Sequence, residues 1–265
     1  MKWLFLFLLS LGSLCARPIE FVIISPSYNN AGVCERSLQS IASQTYPHWS
    51  LLYVNDCSTD HTVHLVDTFI RNNHLSHKCK VITNNKRRGA MANWYRAIKS
   101  LRPKKIVVCL DGDDHFAHEQ VLARLAEVYA NKKVWMTYGN YRSDPDTIPS
   151  VCEPFSKKAM KKRAFRSLPW AASHLRTFYA GLFQKIRRQS FRHRGKFVPV
   201  CCDLAMMFPM LEMASKGHIR FIPEVLYIHN NHTPFNDYKT RLREQLKVDR
   251  KIRHKARYKP LKKLF

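Results

Sequence analysis

The 265-residue chain carries 45 Lys and Arg against 19 Asp and Glu, a formal net charge of +26, with 45% hydrophobic residues. That apolar fraction excludes an intrinsically disordered chain, and the length suits one large domain or two small ones. The charge implies an anionic partner, such as nucleic acid, an acidic membrane surface or a phosphorylated substrate, without choosing among them.

The N-terminal stretch MKWLFLFLLSLGSLCARP sets one lysine before an apolar run extending through Leu14, with small residues near Cys15 and Ala16. Residues 1–17 therefore read as a secretory signal or a short uncleaved anchor, although the run is shorter than the roughly 20 residues of a spanning helix. This predicts a membrane-associated or secretory-pathway protein, or one held at the cytoplasmic face if the anchor stays. The eight cysteines lack CxxC spacing, and removing a leader through Cys15 would leave an odd number. Buried free thiols are expected, among them Cys109 and the adjacent Cys201 and Cys202.

Strand-like runs at Glu20–Ser25, Leu51–Val54, Lys80–Thr83, Lys105–Leu110 and Val134–Tyr138 alternate with helical spacing at Val33–Gln44, His61–Asn73, Gly89–Leu101 and His118–Ala130. The alternation predicts an α/β fold, a Rossmann-like, mostly parallel sheet flanked by helices, with ligands beyond the carboxyl ends of the strands. Three polar clusters follow strands directly: PSYNN (26–30), NDCSTD (55–60) and DGDD (111–114). They should meet on one rim.

Farther on, the proline-bearing stretch Arg142–Phe155 reads as a loop and Ser156–Arg166 as a basic surface segment. His174–Ile186 and Asp203–Ser215 have helical spacing, Ile219–Ile222 and Val225–His229 suggest a strand pair, and the tail from Arg241 reads as a basic helix with little core signal. The chain thus divides into 1–17, a domain at 18–238 and a tail at 239–265.

Asp111, Asp113 and Asp114 crowd three like charges into four positions, which calls for a counter-ion or open water. One resolution is a divalent metal. The other is a turn at Gly112 with Asp114 capping a helix at His115–Tyr129.

Taken in order, FVIISPSYNN, SLQSIASQTYPHWSLLYVNDCSTDHT, LDGDD and CCDLAMMFPMLEMAS resemble family 2 glycosyltransferases of the GT-A fold. The resemblance is nearly continuous from Phe21 to Phe116 and piecemeal to Asp237. It implies an inverting, metal-assisted transfer of a sugar from a nucleotide-diphosphate donor to a hydroxyl of a glycan, lipid or protein. It assigns Pro26, Tyr28, Asn29 and Asp56 to the nucleotide, with Asn55 departing from the usual acidic pair. It assigns Asp111 to the ribose or a metal-bound water, and Asp113 to Mg2+ or Mn2+. His232 matches an added histidine ligand, with His229 its rival, while Asp114 is a second ligand or, preferably, the cap. Asp203 is matched to the general base, with an N-cap as its other reading; Cys202 stands where the family often has an acid, and Glu212 and Asp237 are the next carboxylates in line.

Trp170, His174 and Arg176 are acceptor-side candidates, because aromatic faces pack on sugar rings and arginine meets phosphate or anionic sugars; core residues of an amphipathic helix are the equal alternative. YGNY (138–141) also reaches that side. The basic segments at 156–166 and 241–265 would then face anionic lipid or a phosphorylated acceptor. A nucleic-acid-binding protein and an inactive scaffold are the competing readings; no recognised nucleic-acid module is present, and a carboxylate-lined rim would repel a phosphate backbone.

Overall fold

A computed structural model describes residues 18–232 and 240–265. The expected leader or anchor at 1–17 lies outside these residues. The location read from it is corrected: among the described residues no helix is long and apolar enough to cross a membrane.

The apolar runs of the first half become one half of an eight-stranded sheet. Strands β1 (Phe21–Ser27), β2 (Trp49–Asn55), β3 (Cys79–Thr83) and β4 (Ile106–Cys109) run parallel in the order β3-β2-β1-β4. Alternate side chains serve opposite faces. Phe21 and Ile23 pack with helices α1 (Cys34–Ala42), α2 (Thr62–Asn72) and α4 (Val121–Ala130), whereas Val22 and Ile24 pack with α3 (Ala90–Lys99). Burial on both faces is why β1, β2 and β4 read as continuous apolar runs, whereas the edge strand β3 is only partly covered.

Beyond β4 the sheet departs from the expected pattern. The short strand β5 (His115–Phe116) lies at the far edge, followed inward by β10 (Ile219–Asn230), β6 (Met136–Asp144) and β7 (Thr177–Tyr179). β7 runs antiparallel between β4 and β6, taking the first part of the expected helix His174–Ile186; only α6 (Ala180–Gln184) is helical there. Thr, Phe and Tyr fit a pleated surface, and a vacant ladder on each side outweighs the local helical spacing. The expected strand pair is one strand, β10, whose register shifts around Pro223 and Glu224 mark an irregularity rather than a turn. Likewise β6 continues to Asp144, so YGNY lies within a strand.

The second half wraps helix α7 (Cys202–Ala214), buried at every residue from Leu204 to Ala214. A helix apolar all round needs cover on every side. Part comes from α6 and from the turns Ala164–Ser167 and Arg188–Phe191; beside those turns lie α5 (Lys157–Lys162), capped by Ser156 Oγ accepting from Ala159 N–H, and a small hairpin of β8 (Arg192–His193) and β9 (Lys196–Phe197). The rest comes from the tail, where α8 (Leu242–Arg253) buries Val248 and Ile252, and Leu264 is buried farther on. The tail is thus a structural part of the domain, contrary to its weak apolar signal.

One buried ion pair joins these pieces. Arg166, 5% exposed, gives two hydrogen bonds to Glu212 on α7, at 2.6 and 3.0 Å, and a third to the Ile252 carbonyl at 2.6 Å. Glu212 also accepts from Tyr258 N–H at 2.9 Å. The basic segment at 156–166 therefore ends in the core, not on the surface. Glu212→Leu leaves Arg166 charged and unpaired in the interior and should cost about 3–5 kcal/mol of unfolding free energy in urea denaturation. Adding Arg166→Met should restore part of it.

Candidate functional site

The loops after β1 and β2 are laced together. Asn29 N–H donates to Ser58 Oγ at 2.9 Å, Thr59 N–H to Asn29 Oδ1 at 2.9 Å, and Asn30 N–H to Thr62 Oγ1 at 2.8 Å. Asn29 sits at φ 52°, in the left-handed region that asparagine tolerates better than most residues. Its side chain is thereby engaged with Thr59. The third loop joins through Gly112, whose N–H donates to the Pro26 carbonyl at 3.1 Å. A Cβ at Gly112 would lie 2.6 Å from Ser27 Cβ and 2.8 Å from the Pro26 oxygen, so only glycine permits this approach. All three clusters converge on one rim.

Asp56, 4% exposed, accepts from Asn84 Nδ2 (2.9 Å) and from the N–H groups of Arg88 (2.8 Å) and Gly89 (2.9 Å). Burial pushes its carboxyl up, but these hydrogen bonds outweigh burial and hold it below the usual range. Asp56 thereby fixes the segment leading into α3, and that segment sets the Arg87 guanidinium 3.5 Å from the centre of the Tyr28 ring. Sequence reasoning missed Asn84 and Arg87; the basic run KRR directly before a helix was the available signal.

Asp114 is not a helix cap. α4 begins later, at Val121, with Gln120 in the cap position, because the β5 pairing with β10 intervenes. Asp114 is 1% exposed and accepts from the Tyr227 hydroxyl, from Asn230 N–H at 2.7 Å and from His229 Nδ1 at 3.3 Å. It anchors the end of β10 beneath the loop. Tyr227 also takes the Asp111 N–H at 3.3 Å, a bridging role that the sequence did not suggest.

Above this anchor the carboxylates remain underneutralised. Asp111 keeps a side-chain exposure of 35% and pairs with Arg176, itself 4% exposed, at 3.0 Å. Burial, then repulsion from Asp114 and Asp111, pushes the Asp113 carboxyl up to about 8. Burial also raises Asp111, against the opposing charge of Arg176. Of the two candidate histidines, His229 faces these groups: burial would lower its pKa, but its bond to Asp114 and the nearby carboxylates raise it. His232 is 65% exposed, and its Nε2 lies 3.5 Å from Asp144, which also binds Arg36 at 2.7 Å.

His174 stacks on Tyr227 with ring centres 4.4 Å apart and, 5.5 Å away, on His229. Burial, then the charges of Arg176 and His229, holds its imidazole well below the ordinary value, hence neutral. Asp114, His174 and His229 each bring a donor atom within 4.8 Å of the others. One carboxylate with two imidazoles matches a hard divalent cation less well than the neighbouring carboxylates of Asp111 and Asp113 do, and added positive charge would relieve the repulsion that helps raise Asp113.

Asp203 is the second residue of α7, and Cys201 holds the cap position with no side-chain capping bond, which removes the N-cap reading. Burial raises the Asp203 carboxyl, with Arg176 opposing. Arg176 thus lies within the electrostatic reach of Asp203 as well as against Asp111. Trp170 packs edge-on against Phe208 of α7, ring centres 5.3 Å apart. Of the other carboxylates, Glu212 is committed to Arg166, and Asp237 lies outside the described residues. Cys34, Cys109 and Cys152 are buried free thiols, whereas Cys201 and Cys202 are only half-buried.

The family model described as Glycosyl transferase family 2 matches residues 22–191. The chain is 31% identical over 119 residues, 45% of its length and 44% of the other's, to the UDP-Glc:alpha-D-GlcNAc-diphosphoundecaprenol beta-1,3-glucosyltransferase WfgD of Escherichia coli. Its fold resembles that of TarS from S. aureus, solved with UDP-GlcNAc, at a TM-score of 0.62 and 18% identity over 81% of this chain and 59% of that one. It also resembles the mannosyltransferase PcManGT of Pyrobaculum calidifontis, solved with GDP-Man and Mn2+, at a TM-score of 0.59 and 19% identity over 91% of this chain and 66% of that one. The chain spans about half or less of the length of the curated relatives it matches, from 39% to 52%.

The close approach at Gly112 yields a direct test. Gly112→Ala should lower the urea midpoint, by an unfolding cost of about 1–3 kcal/mol, because the new methyl meets backbone that cannot yield. Gly32→Ala, with nothing within 4 Å of the added Cβ, serves as the matched control and should cost much less.

Proposed function

The chain belongs to glycosyl transferase family 2, and from that premise we propose that it is an inverting enzyme moving a sugar from a nucleotide diphosphate to a hydroxyl of a glycan, lipid or protein. The observation that carries this reading is Arg176, a buried cation shared between Asp111 of the loop after β4 and Asp203 at the head of α7. One guanidinium pairs with the donor loop and lies within electrostatic reach of the candidate base.

In this reading Pro26, Tyr28, Asn29 and Asp56, with Arg87 over Tyr28, form the nucleotide site, and Asp111 meets the ribose. Asp113 holds Mg2+ or Mn2+, His229 being better disposed than His232 to join it. The ion supplies charge that neutralises the diphosphate leaving group. Asp203 takes the proton of the acceptor hydroxyl as its oxygen attacks the anomeric carbon. The bond to the diphosphate breaks on the opposite face, which inverts the configuration. A carboxyl raised by burial is a stronger base than a solvated one. Trp170 lines the acceptor side, while His174 and Arg176 support the site from below. The nucleotide sugars named for the relative and the structural neighbours support this donor class, and the Mn2+ of the mannosyltransferase supports the ion.

Asp203→Asn should leave stability and donor binding intact while transfer falls by roughly a hundredfold or more. A rate within about threefold of the parent at saturating substrates would remove Asp203 from the mechanism. Asp113→Ala, and EDTA added to the unmodified protein, should each abolish turnover; full activity in chelator would exclude the ion.

A further inference from the structure

Two basic stretches of the chain, Pro154–Cys202 and Arg250–Phe265, are among those without an acidic side chain. The fold brings them together. On α8, Arg243, Lys247, Arg250 and Lys251 are all exposed at spacings of i, i+4, i+7 and i+8, a single stripe about 12 Å long. The opposite face carries Val248 and Ile252 into the core. The two carboxylates of α8 are engaged with arginines outside the stripe, Glu244 with Arg241 at 2.8 Å and Asp249 with Arg253 at 2.6 Å.

The β8–β9 hairpin adds to this stripe. Lys251 Nζ lies 3.1 Å from His193 Nε2, and Lys255 Nζ donates to the carbonyls of Ser190 at 2.7 Å and Arg192 at 2.6 Å. These contacts hold the hairpin, with its exposed Arg194 and Lys196, beside α8. At its other end α8 reaches the candidate base: Cys201 Sγ donates to the Gln245 carbonyl at 3.6 Å, and Arg241 to the Pro199 carbonyl at 3.3 Å, within four residues of Asp203. The basic tract therefore begins beside the acceptor side of the site and leads away from it.

Like charges gathered this densely repel one another, and a polyanion relieves that repulsion while being drawn in by it. The stripe carries no aromatic side chain on which nucleic-acid bases would stack. Its continuity with Asp203 ties it to the acceptor. We propose that this tract seats the acceptor chain, and that the acceptor is a linear anionic glycan bearing carboxylate, phosphate or sulfate groups along its length. The inference rests on the transferase reading and narrows its acceptor class.

The test compares the full chain with the exposed-residue variant Lys247→Gln/Arg250→Gln/Lys251→Gln in binding a fluorescent polygalacturonate oligomer at about 0.1 M salt. Neutral dextran, single-stranded DNA and anionic phospholipid vesicles are the other ligands, and calorimetry of UDP and GDP with Mn2+ is run on both proteins. The expected result is binding of polygalacturonate but not dextran, with affinity falling steeply as salt rises and dropping about tenfold or more in the variant, and unchanged nucleotide binding. Equal affinity for dextran, an unaffected variant, or tighter binding of DNA or vesicles would overturn the anionic-glycan assignment while leaving the transferase reading in place. Glycan binding by a protein that takes neither nucleotide would instead count against the transferase reading and, with it, the acceptor role.

Discussion

The mutual repulsion of Asp111, Asp113, Asp114 and Asp203 is the constraint around which the rim is arranged, and the fold answers it with the buried guanidinium of Arg176 and with the imidazole of His229, whose proton affinity the carboxylates raise. Arg176 comes from the segment that interrupts the parallel order, whereas the strand carrying His229 runs parallel to its neighbour β6. Arg176 stands beside β7, inserted antiparallel between β4 and β6, and His229 ends the long strand β10. Without β7 no guanidinium would reach the loop after β4 from below. Burial first, and the neighbouring carboxylates after it, raise the proton affinity of Asp113, and a cation arriving with substrate would offset both.

The parts of the molecule legible in its sequence are those whose physics is local. β1, β2 and β4 are buried on both faces, so their apolar runs and the polar loops behind them were visible, as was the meeting of those loops on one rim. β7 was hidden because three residues become a strand only when partners wait on both sides. Asp114 was misread as a cap for the same reason: its partners Tyr227, His229 and Asn230 return from more than a hundred positions away. The family's order of motifs located the candidate donor side, but spacing alone could not distinguish His229 from His232, which lies against Asp144.

Arg166 and Glu212 show how polar groups can organise a region whose apolar signal is weak. Only Val248 and Ile252 of α8 enter the core along that helix, yet the helix is fixed because the Ile252 carbonyl and Tyr258 N–H complete the hydrogen bonding of a buried ion pair. Such pairs lend little net stability but penalise every arrangement that leaves one partner alone. That favours one seat for the tail, and with it a defined position for the basic face.

Helix α7 is apolar around its whole perimeter, yet Tyr258, which closes the polar network at Glu212, follows it by 46 residues. On a ribosome adding roughly 5–20 residues per second, those residues take about 2–9 s to appear. Until those residues are made, the helix lacks part of the cover that the folded domain gives it. The tail thus sets the time at which that cover is completed.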